Sequence, residues 1–427
     1  MAEIYPIAEF ESFVKDKVIT GYRTLPEKTF DDLLNFLLEG RGKKDPVEFM
    51  NISARRGLGT LITAQNYIGV IALRNGDTIE ILPKIYKKNS GEYDGKQVKK
   101  IVLNILRTLP ESPFRSVQES GMDVARMPVL EIFIRSFLNE VFMIVKHGLK
   151  HNYTQTEANE PFFKGQMLFP EQIRRNFAHQ EKNCIRYDVF STNCPENRIL
   201  KTTLLFLYRQ SFSEKNKRDI KILLSAFEDV PESDAYRSDI SKCGTGRDSK
   251  DYRIALKWSE IFLEGKSFTS YSGSTAALAL LYPMETLFET YVAHMMKIYL
   301  DSNVYTVSVQ EKKYSLFDFP DKRFAIKPDI VVRRKKDGAV FILDTKWKLL
   351  NNDRNRNYGI SQADMYQMYA YQKKYESKNV TLIYPVPAEK TENEIMYLSR
   401  DEAEIHVKFF DFFDIKNSIE NIAEVFV

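Results

Sequence analysis

Cysteine is scarce in this chain, with Cys184, Cys194 and Cys243 the only three in 427 residues. An odd number without paired metal-ligand spacing excludes a disulfide framework and a cysteine-rich zinc module, and points to a reduced intracellular protein. Histidine is also scarce, at five, and no two stand in an HExxH arrangement, so a zinc hydrolase of that type is excluded. No GxxxxGK[ST] occurs, because the glycines around Gly40 and Gly244 have the wrong spacing; the chain carries no P-loop. Charge of one sign is lacking too. The net charge is +4, which removes a global basic field. Attraction for a polyanion would have to come from local patches, such as Arg333 to Lys336 or the loop Lys348 to Arg356. The opening MAEIYPIAEF has no basic stretch followed by an apolar core, so no secretory signal is expected. The most apolar long run, Val129 to Val145, is broken by Glu131, Arg135 and Glu140. It is too short and too charged to span a bilayer and is expected as a buried helix. These absences predict a cytoplasmic protein with no membrane association.

What is present is enough apolar material for packed cores. Hydrophobic residues make up 43% and aromatics 13% of a length that suits two or three domains. We expect an α+β multidomain chain. Residues 1–120 read as a mixed α/β domain. In it Asn66 to Leu73 and Thr78 to Ile85 flank an Asn75-Gly76 turn as a hairpin. Gly91 to Lys100 is polar and reads as a loop before a helix at Val102 to Leu109. Residues 121–270 read as mainly helical, with the clearest pieces at Val129 to Val145, Pro170 to Asn176, Asn197 to Tyr208 and Ile220 to Phe227. Ser233 to Lys250 is rich in Ser, Asp and Gly and reads as a polar connection. This middle segment is either a separate unit or part of the domain that follows, 271–427, where Val380 to Tyr384 and Ile405 to Phe410 are further strands.

The segment from Ile326 to Trp347, IKPDIVVRRKKDGAVFILDTKW, concentrates the chemistry. Ile330 to Val332 and Ala339 to Leu343 are apolar or β-branched, and Asp337-Gly338 is a hairpin turn signal. A four-residue tip, Lys335 to Gly338, places Asp329 opposite Asp344. A tighter turn shifts the pairing by two and places Asp329 opposite Lys346. Because side chains alternate along a strand, both registers leave Asp329, Asp344 and Lys346 on one face, with Thr345 pointing away. Two carboxylates and an ammonium at the open end of a hairpin suit phosphodiester hydrolysis: oxygen ligands for Mg²⁺ and a cation beside the attacked phosphate. The pattern resembles the PD-(D/E)xK nuclease signature.

Two flanking helices extend it. Ser361 to Lys374 has helical periodicity, and Asp364, Gln367 and Tyr371 at i, i+3 and i+7 share a face. In several PD-(D/E)xK branches a Gln-x-x-x-Tyr pair points back at the active centre, and Gln367 with Tyr371 is similar to it. Pro283 to Val292 reads as a helix with Pro near its start. Its Glu285 and Glu289 share a face, and the resemblance implies a third acidic group here, Glu289 first and Glu285 in reserve.

Taken together, the motifs resemble the McrC family, nuclease subunits of McrBC restriction systems. They are NYIGVI from Asn66, IEILPKI from Ile79, FKGQ from Phe163, QIRRN from Gln172, ENRILK from Glu196, METLFE from Met284, KPD ending at Asp329, LDTK ending at Lys346 and DMYQMYAY from Asp364. FKGQ departs from the pattern, since Lys164 and Gln166 stand where an RGR-like segment is expected. The resemblance implies an N-terminal partner-docking domain and a C-terminal Mg²⁺-dependent PD-(D/E)xK core acting on DNA. The partner is an McrB-like AAA+ GTPase ring that selects modified-cytosine DNA and whose GTP hydrolysis the chain stimulates; the missing P-loop agrees with that division. Arg55 and Arg56, among small residues, are candidates for touching the ring, set against a plain surface loop. In the implied roles Asp329 and Asp344, with the Thr345 carbonyl and Glu289, hold Mg²⁺. Lys346 orients the nucleophile or stabilises charge, and Gln367 and Tyr371 position the lysine or the phosphate.

Overall fold

The computed structural model describes residues 3–39, 49–73, 75–85, 94–109, 113–116, 127–244, 250–264, 278–387 and 395–426. Contacts divide the chain into two compact units, Met1–Val129 with Ser267–Val427, and Leu130–Lys266. The chain is a mixed α/β structure with several sheets. Among the described residues no helix is long and apolar enough to cross a membrane.

The first unit opens with β1 (Ile4–Ala8), β2 (Ser12–Lys15), β3 (Arg23–Leu25), α1 (Glu27–Glu39), β4 (Met50–Arg55), β5 (Gly59–Ala64), β6 (Tyr67–Ala72), β7 (Thr78–Leu82) and α2 (Gly95–Thr108). The Asn75-Gly76 hairpin forms as expected, with Ala72 opposite Thr78. Arg55 ends β4 opposite Gly59 across a tight turn and donates to the Tyr22 hydroxyl at 2.7 Å; Arg55 and Arg56 are exposed. One correction concerns α2, which starts at Gly95, well inside the polar stretch read as a loop; residues 91–93 of that stretch lie outside the described ones. Asp94 caps the helix by accepting from the Lys96 N–H at 2.9 Å. Lysines fill the solvent side of the first turns while Val98, Ile101 and Val102 are buried, so the polarity marked a face and not a loop.

The second unit contains α3 (Val129–His147, from Leu130 onward), β8 (Asn152–Glu160), β9 (Gln166–Met167), α4 (Phe169–Asn176), β10 (Asn183–Ser191), α5 (Pro195–Gln210), α6 (Glu214–Ala226), α7 (Tyr236–Lys242) and α8 (Arg253–Glu264). The four expected helices are present. The sheet β8-β10-β9 is not helical as expected: β8 and β10 pair antiparallel over nine residues, Asn152↔Ser191 to Glu160↔Asn183. β8 reads NYTQTEANE, mostly polar on both faces, so it shows none of the apolar alternation that marks a half-buried strand. Helix α7 likewise lies within Ser233 to Lys250, whose residues 245–249 are outside the described ones. In α3, Glu131 is buried yet satisfied, accepting from Ser211 Oγ at 2.8 Å and from Asn216 Nδ2 at 2.6 Å. In FKGQ, Lys164 pairs with Glu160 at 3.0 Å and lies over the Tyr187 ring. Gly165 sits at φ 72°, where an added Cβ would stand 2.3 Å from the Arg186 carbonyl oxygen; only glycine fits.

The first unit resumes with β11 (Leu278–Pro283), α9 (Met284–Tyr299), β12 (Tyr305–Val309), β13 (Ser315–Phe317), β14 (Arg323–Ala325), β15 (Ile330–Arg334), β16 (Val340–Thr345), α10 (Gln362–Tyr375), β17 (Asn379–Pro385), β18 (Ile395–Leu398), β19 (Glu404–Phe410) and α11 (Ile415–Ala423). β11 pairs with β6, giving the sheet β1-β7-β6-β11. Gly69 in the NYIGVI motif makes this approach possible, since a Cβ there would lie 1.8 Å from the Leu280 carbonyl oxygen. β13 and β14 pair with each other, and the other strands build a six-stranded sheet, β12-β15-β16-β17-β19-β18. β16, β17 and β19 are parallel, and α10 is the crossover between β16 and β17. One face buries Val331, Ile342, Leu382 and Val407 with Met368 and Tyr371 of α10. On the other, Phe410 meets Phe288 of α9 at 6.0 Å. Burial on both faces explains why β17 reads as a continuous apolar run.

Candidate active site

The β15–β16 hairpin adopts the longer of the two registers. Ile330 pairs with Leu343 and Arg333 with Val340, so Asp329 and Asp344 follow one step beyond the last pair. The tip selects this register: Gly338 N–H donates to the Arg334 carbonyl at 2.9 Å, and Arg334 grips Asp337 at 2.7 Å. Arg333 is held by Glu311 through two bonds of 2.8 and 2.7 Å. Two of the four cations at the tip are therefore paired with carboxylates, which weakens it as a phosphate-binding patch. In the other patch, Lys348 Nζ donates to the Gly359 carbonyl at 2.6 Å and Arg356 meets Asp353 at 3.5 Å.

Beyond the ladder the geometry departs from ideal alternation. Asp329 Oδ2 accepts from the Thr345 N–H at 2.7 Å and from the Thr345 hydroxyl at 2.8 Å. Thr345 thus does not point away from the acidic face but clamps one of its members. The reason is that pairing ends at Ile330: the Asp329 carbonyl instead accepts from Gln310 N–H at 2.9 Å, and its carboxylate turns across the end of β16. Asp344 is 1% exposed and pairs with Lys346 at 2.6 Å. Lys346 Nζ donates to Gln367 Oε1 at 3.2 Å and lies 3.8 Å from Asp364. Gln367 Nε2 donates to the Tyr371 hydroxyl at 2.6 Å, which donates to the Lys327 carbonyl at 3.1 Å. The i, i+3, i+7 face of α10 thus meets the lysine, and Ser361 caps the helix by accepting from Asp364 N–H at 3.1 Å. Glu289 is half-buried and accepts from Gln310 Nε2 at 2.7 Å. Glu285, one turn earlier, is exposed and accepts from Asn66 Nδ2 at 3.0 Å.

Electrostatics follow from this crowding. Burial, then the Asp329 charge, push the Asp344 carboxyl up to about 7 against the pull of Lys346. Burial also raises Asp329, opposed by its two Thr345 bonds. Glu289 is raised by burial and then by Asp329, which places it within the same field. Burial alone would lower Lys346, but Asp344 and Asp364 outweigh it and hold the ammonium charged. Among the described residues no three His, Cys, Asp or Glu side chains form a ready metal cage. A divalent ion such as Mg²⁺ keeps several waters and takes one or two carboxylates, so the Asp329–Asp344 pair suits it. The excess of buried carboxylate over ammonium is the kind of charge a cation relieves.

Sequence reasoning missed Glu9 and Trp347. Glu9, buried in the turn after β1, accepts from Trp347 Nε1 at 3.0 and 3.1 Å and from Lys84 N–H at 3.1 Å. Burial drives its carboxyl up to about 8. Trp347 follows Lys346 directly and packs on Phe288, the neighbour of Glu289, at 5.3 Å. No local pattern links residues so far apart in sequence. Glu9→Ala leaves the indole and Lys84 N–H groups without their acceptor, and urea denaturation at pH 7 should show a loss of about 1–3 kcal/mol. An unchanged midpoint would mean that water replaces the carboxylate.

Comparison with known proteins supplies the context. A chain of the refined half-complex from the tetradecameric assembly of Thermococcus gammatolerans McrB AAA+ hexamers with bound McrC is similar in fold, with a TM-score of 0.69 and 17% identity. The match covers 98% of this chain and 100% of that one. A chain of the cryo-EM structure of the Thermococcus gammatolerans McrBC complex matches with a TM-score of 0.52 and 16% identity, over 70% of this chain and 88% of that one. No curated protein matches the sequence. The family model described as McrBC 5-methylcytosine restriction system component matches residues 62–385, which is well over half the chain and contains both the acidic hairpin and the Gln367–Tyr371 helix. The chain belongs to the family of McrBC 5-methylcytosine restriction system components.

Proposed function

We propose that this chain is the Mg²⁺-dependent DNA endonuclease subunit of a McrBC-like modification-dependent restriction complex in the cytoplasm. Its PD-(D/E)xK core is the six-stranded sheet with α9 and α10, and its N-terminal sheets dock on an McrB-like AAA+ GTPase ring and stimulate GTP hydrolysis. The observation that carries this reading is the meeting of Asp329, Asp344 and Lys346 at one hairpin end, with Gln367 and Tyr371 behind the lysine. Family membership, the lack of a P-loop and the fold shared with a chain from an assembly of McrB hexamers with bound McrC support the partner. The ring selects the modified-cytosine DNA.

In the mechanism, Asp329, Asp344 and the Thr345 carbonyl would hold Mg²⁺, with Glu289 as a further acidic group for it. When bound, the ion supplies a more acidic water and offsets phosphate charge. Thr345 keeps the Asp329 carboxylate turned into the site. Lys346 stays protonated and stabilises the charge that develops on the phosphate or orients the attacking water. Gln367 and Tyr371 restrict the lysine's rotamers, so that its charge is preorganised.

One assay tests the whole reading. Purified chain is incubated with modified plasmid and Mg²⁺, with and without the AAA+ partner and GTP. Cleavage only in the complete mixture is expected. Stimulated GTP hydrolysis with no cleavage would make the chain an activator, and cleavage without the partner would make it a stand-alone nuclease.

A further inference from the structure

Between β12 and β15 the chain leaves the central sheet to form the β13–β14 hairpin, pairing Ser315 with Ala325 and Phe317 with Arg323. Its inner side is anchored. Tyr314 and Leu316 pack on the core beneath α10, Tyr314 meets Tyr375 edge-on at 4.6 Å, and Ile326 N–H donates to the Tyr314 carbonyl at 3.0 Å. Its outer side is uncovered: Phe317 is 58%, Phe319 89% and Phe324 72% exposed. The Phe317 and Phe324 rings stand T-shaped at 6.0 Å, and Phe324 is held at φ 55°, a region a bulky residue rarely adopts. A cluster of bare aromatics on a rigid stalk marks a binding element.

The surrounding charge indicates what it binds. Lys312, Lys313, Lys322, Arg323 and Lys327 are all exposed along this stretch, against Asp318 and Asp321. The two aspartates engage Lys374 and Arg323 only loosely, each at 3.5 Å. Aromatic faces amid an excess of cations suit a polyanion with stackable planes, which is nucleic acid. The stalk is also continuous with the acidic pair: beyond β14 the chain passes Lys327, whose carbonyl is bonded to Tyr371, and reaches Asp329. Five residue steps take the chain from Phe324 to Asp329, at most about 17 Å. Along a duplex that is about five base steps at ~3.4 Å each.

We propose that the β13–β14 hairpin is a DNA wedge, in which Phe319 and Phe324 enter a base step while Lys322 and Arg323 hold the flanking phosphates and set the duplex against Asp329 and Asp344. The proposal rests on the nuclease reading above. To test it, the full chain is titrated without Mg²⁺ against a short duplex carrying 2-aminopurine at successive steps. Phe319→Ala with Phe324→Ala should weaken binding about tenfold or more and remove the unstacking signal. Lys322→Gln with Arg323→Gln should lower the slope of log affinity against log salt by about 2. Because these side chains are exposed, the variants should melt like the parent. Wild-type binding and signal in the phenylalanine variant would overturn the proposal. So would intact duplex binding with lost AAA+ partner association, which would assign the surface to a protein. The complete cleavage mixture separates the two readings. Unstacking by a chain that never cuts leaves the wedge standing and sinks the nuclease; normal cutting by the phenylalanine variant does the reverse.

Discussion

Asp344→Ala and Lys346→Ala are expected to abolish DNA cleavage while leaving AAA+ partner binding and GTPase stimulation near those of the unaltered chain. Asp344 is the most buried member of the acidic pair, and no other described carboxylate bonds to Lys346 as closely. Removing it would take away a proposed metal ligand and free the lysine to swing toward Asp364. Loss of one preorganised charge at a transition state typically costs on the order of 10²–10³ in rate, the effect expected for Lys346→Ala. Asp344→Ala removes the ligand and misplaces the lysine at once, so its loss should be larger. Both residues lie at the C-terminal end of β16, and neither belongs to the α1 core that the β1–β7 and β2–β5 sheets share. In the proposed division of labour, GTP hydrolysis by the complex would read out a different surface. A folded Asp344→Ala chain that no longer stimulates GTP hydrolysis would count against this modular division.

The second large effect concerns pH and metal. With its carboxyl raised to about 7, Asp344 keeps a proton in the folded chain that the unfolded chain releases near its ordinary value of 3.8. The sign follows: ν_N exceeds ν_U between these values, so stability is fully present below about 4 and falls as pH rises through about 7. Asp329, also raised, acts in the same direction. The loss is on the order of a few kcal/mol, since each tenfold change in proton affinity is worth about 1.4 kcal/mol and Lys346 carries part of the charge. Urea denaturation in EDTA across pH 4 to 8 should show this slope, and Asp344→Asn should flatten it. In the proposed mechanism Mg²⁺ would bind the ionised pair, so its stabilisation should be large at pH 8 and small at pH 5. Equal Mg²⁺ effects at both values would mean that the pair is not where the ion binds.

The candidate site was legible where its logic is local. Asp329, Asp344 and Lys346 lie within one hairpin whose turn dipeptide and period-2 pattern are visible in the chain. Gln367 and Tyr371 share a helix face by spacing alone. The choice of register was not legible, because both turns keep the same face; the Arg334–Asp337 grip and Gly338 decided it. Thr345 was misread for a related reason. Alternation holds only while a ladder continues, and pairing stops just before Asp329. The polar strand β8 escaped notice since its residues are almost all polar and carry no apolar alternation, and α2 began early behind the exposed Lys96 and Lys100.

What the sequence determined by itself was everything carried by short-range periodicity and turn chemistry: the paired acidic strands, the lysine, the Gln–Tyr face and the absence of a P-loop. What only the tertiary structure decided was how distant segments close around that hairpin. Glu9 reaches Trp347 across 338 positions, Glu289 comes under the field of Asp329, and β11 pairs back onto β6. Such contacts depend on burial and packing between elements that have no periodic relation in the chain, so no local pattern records them.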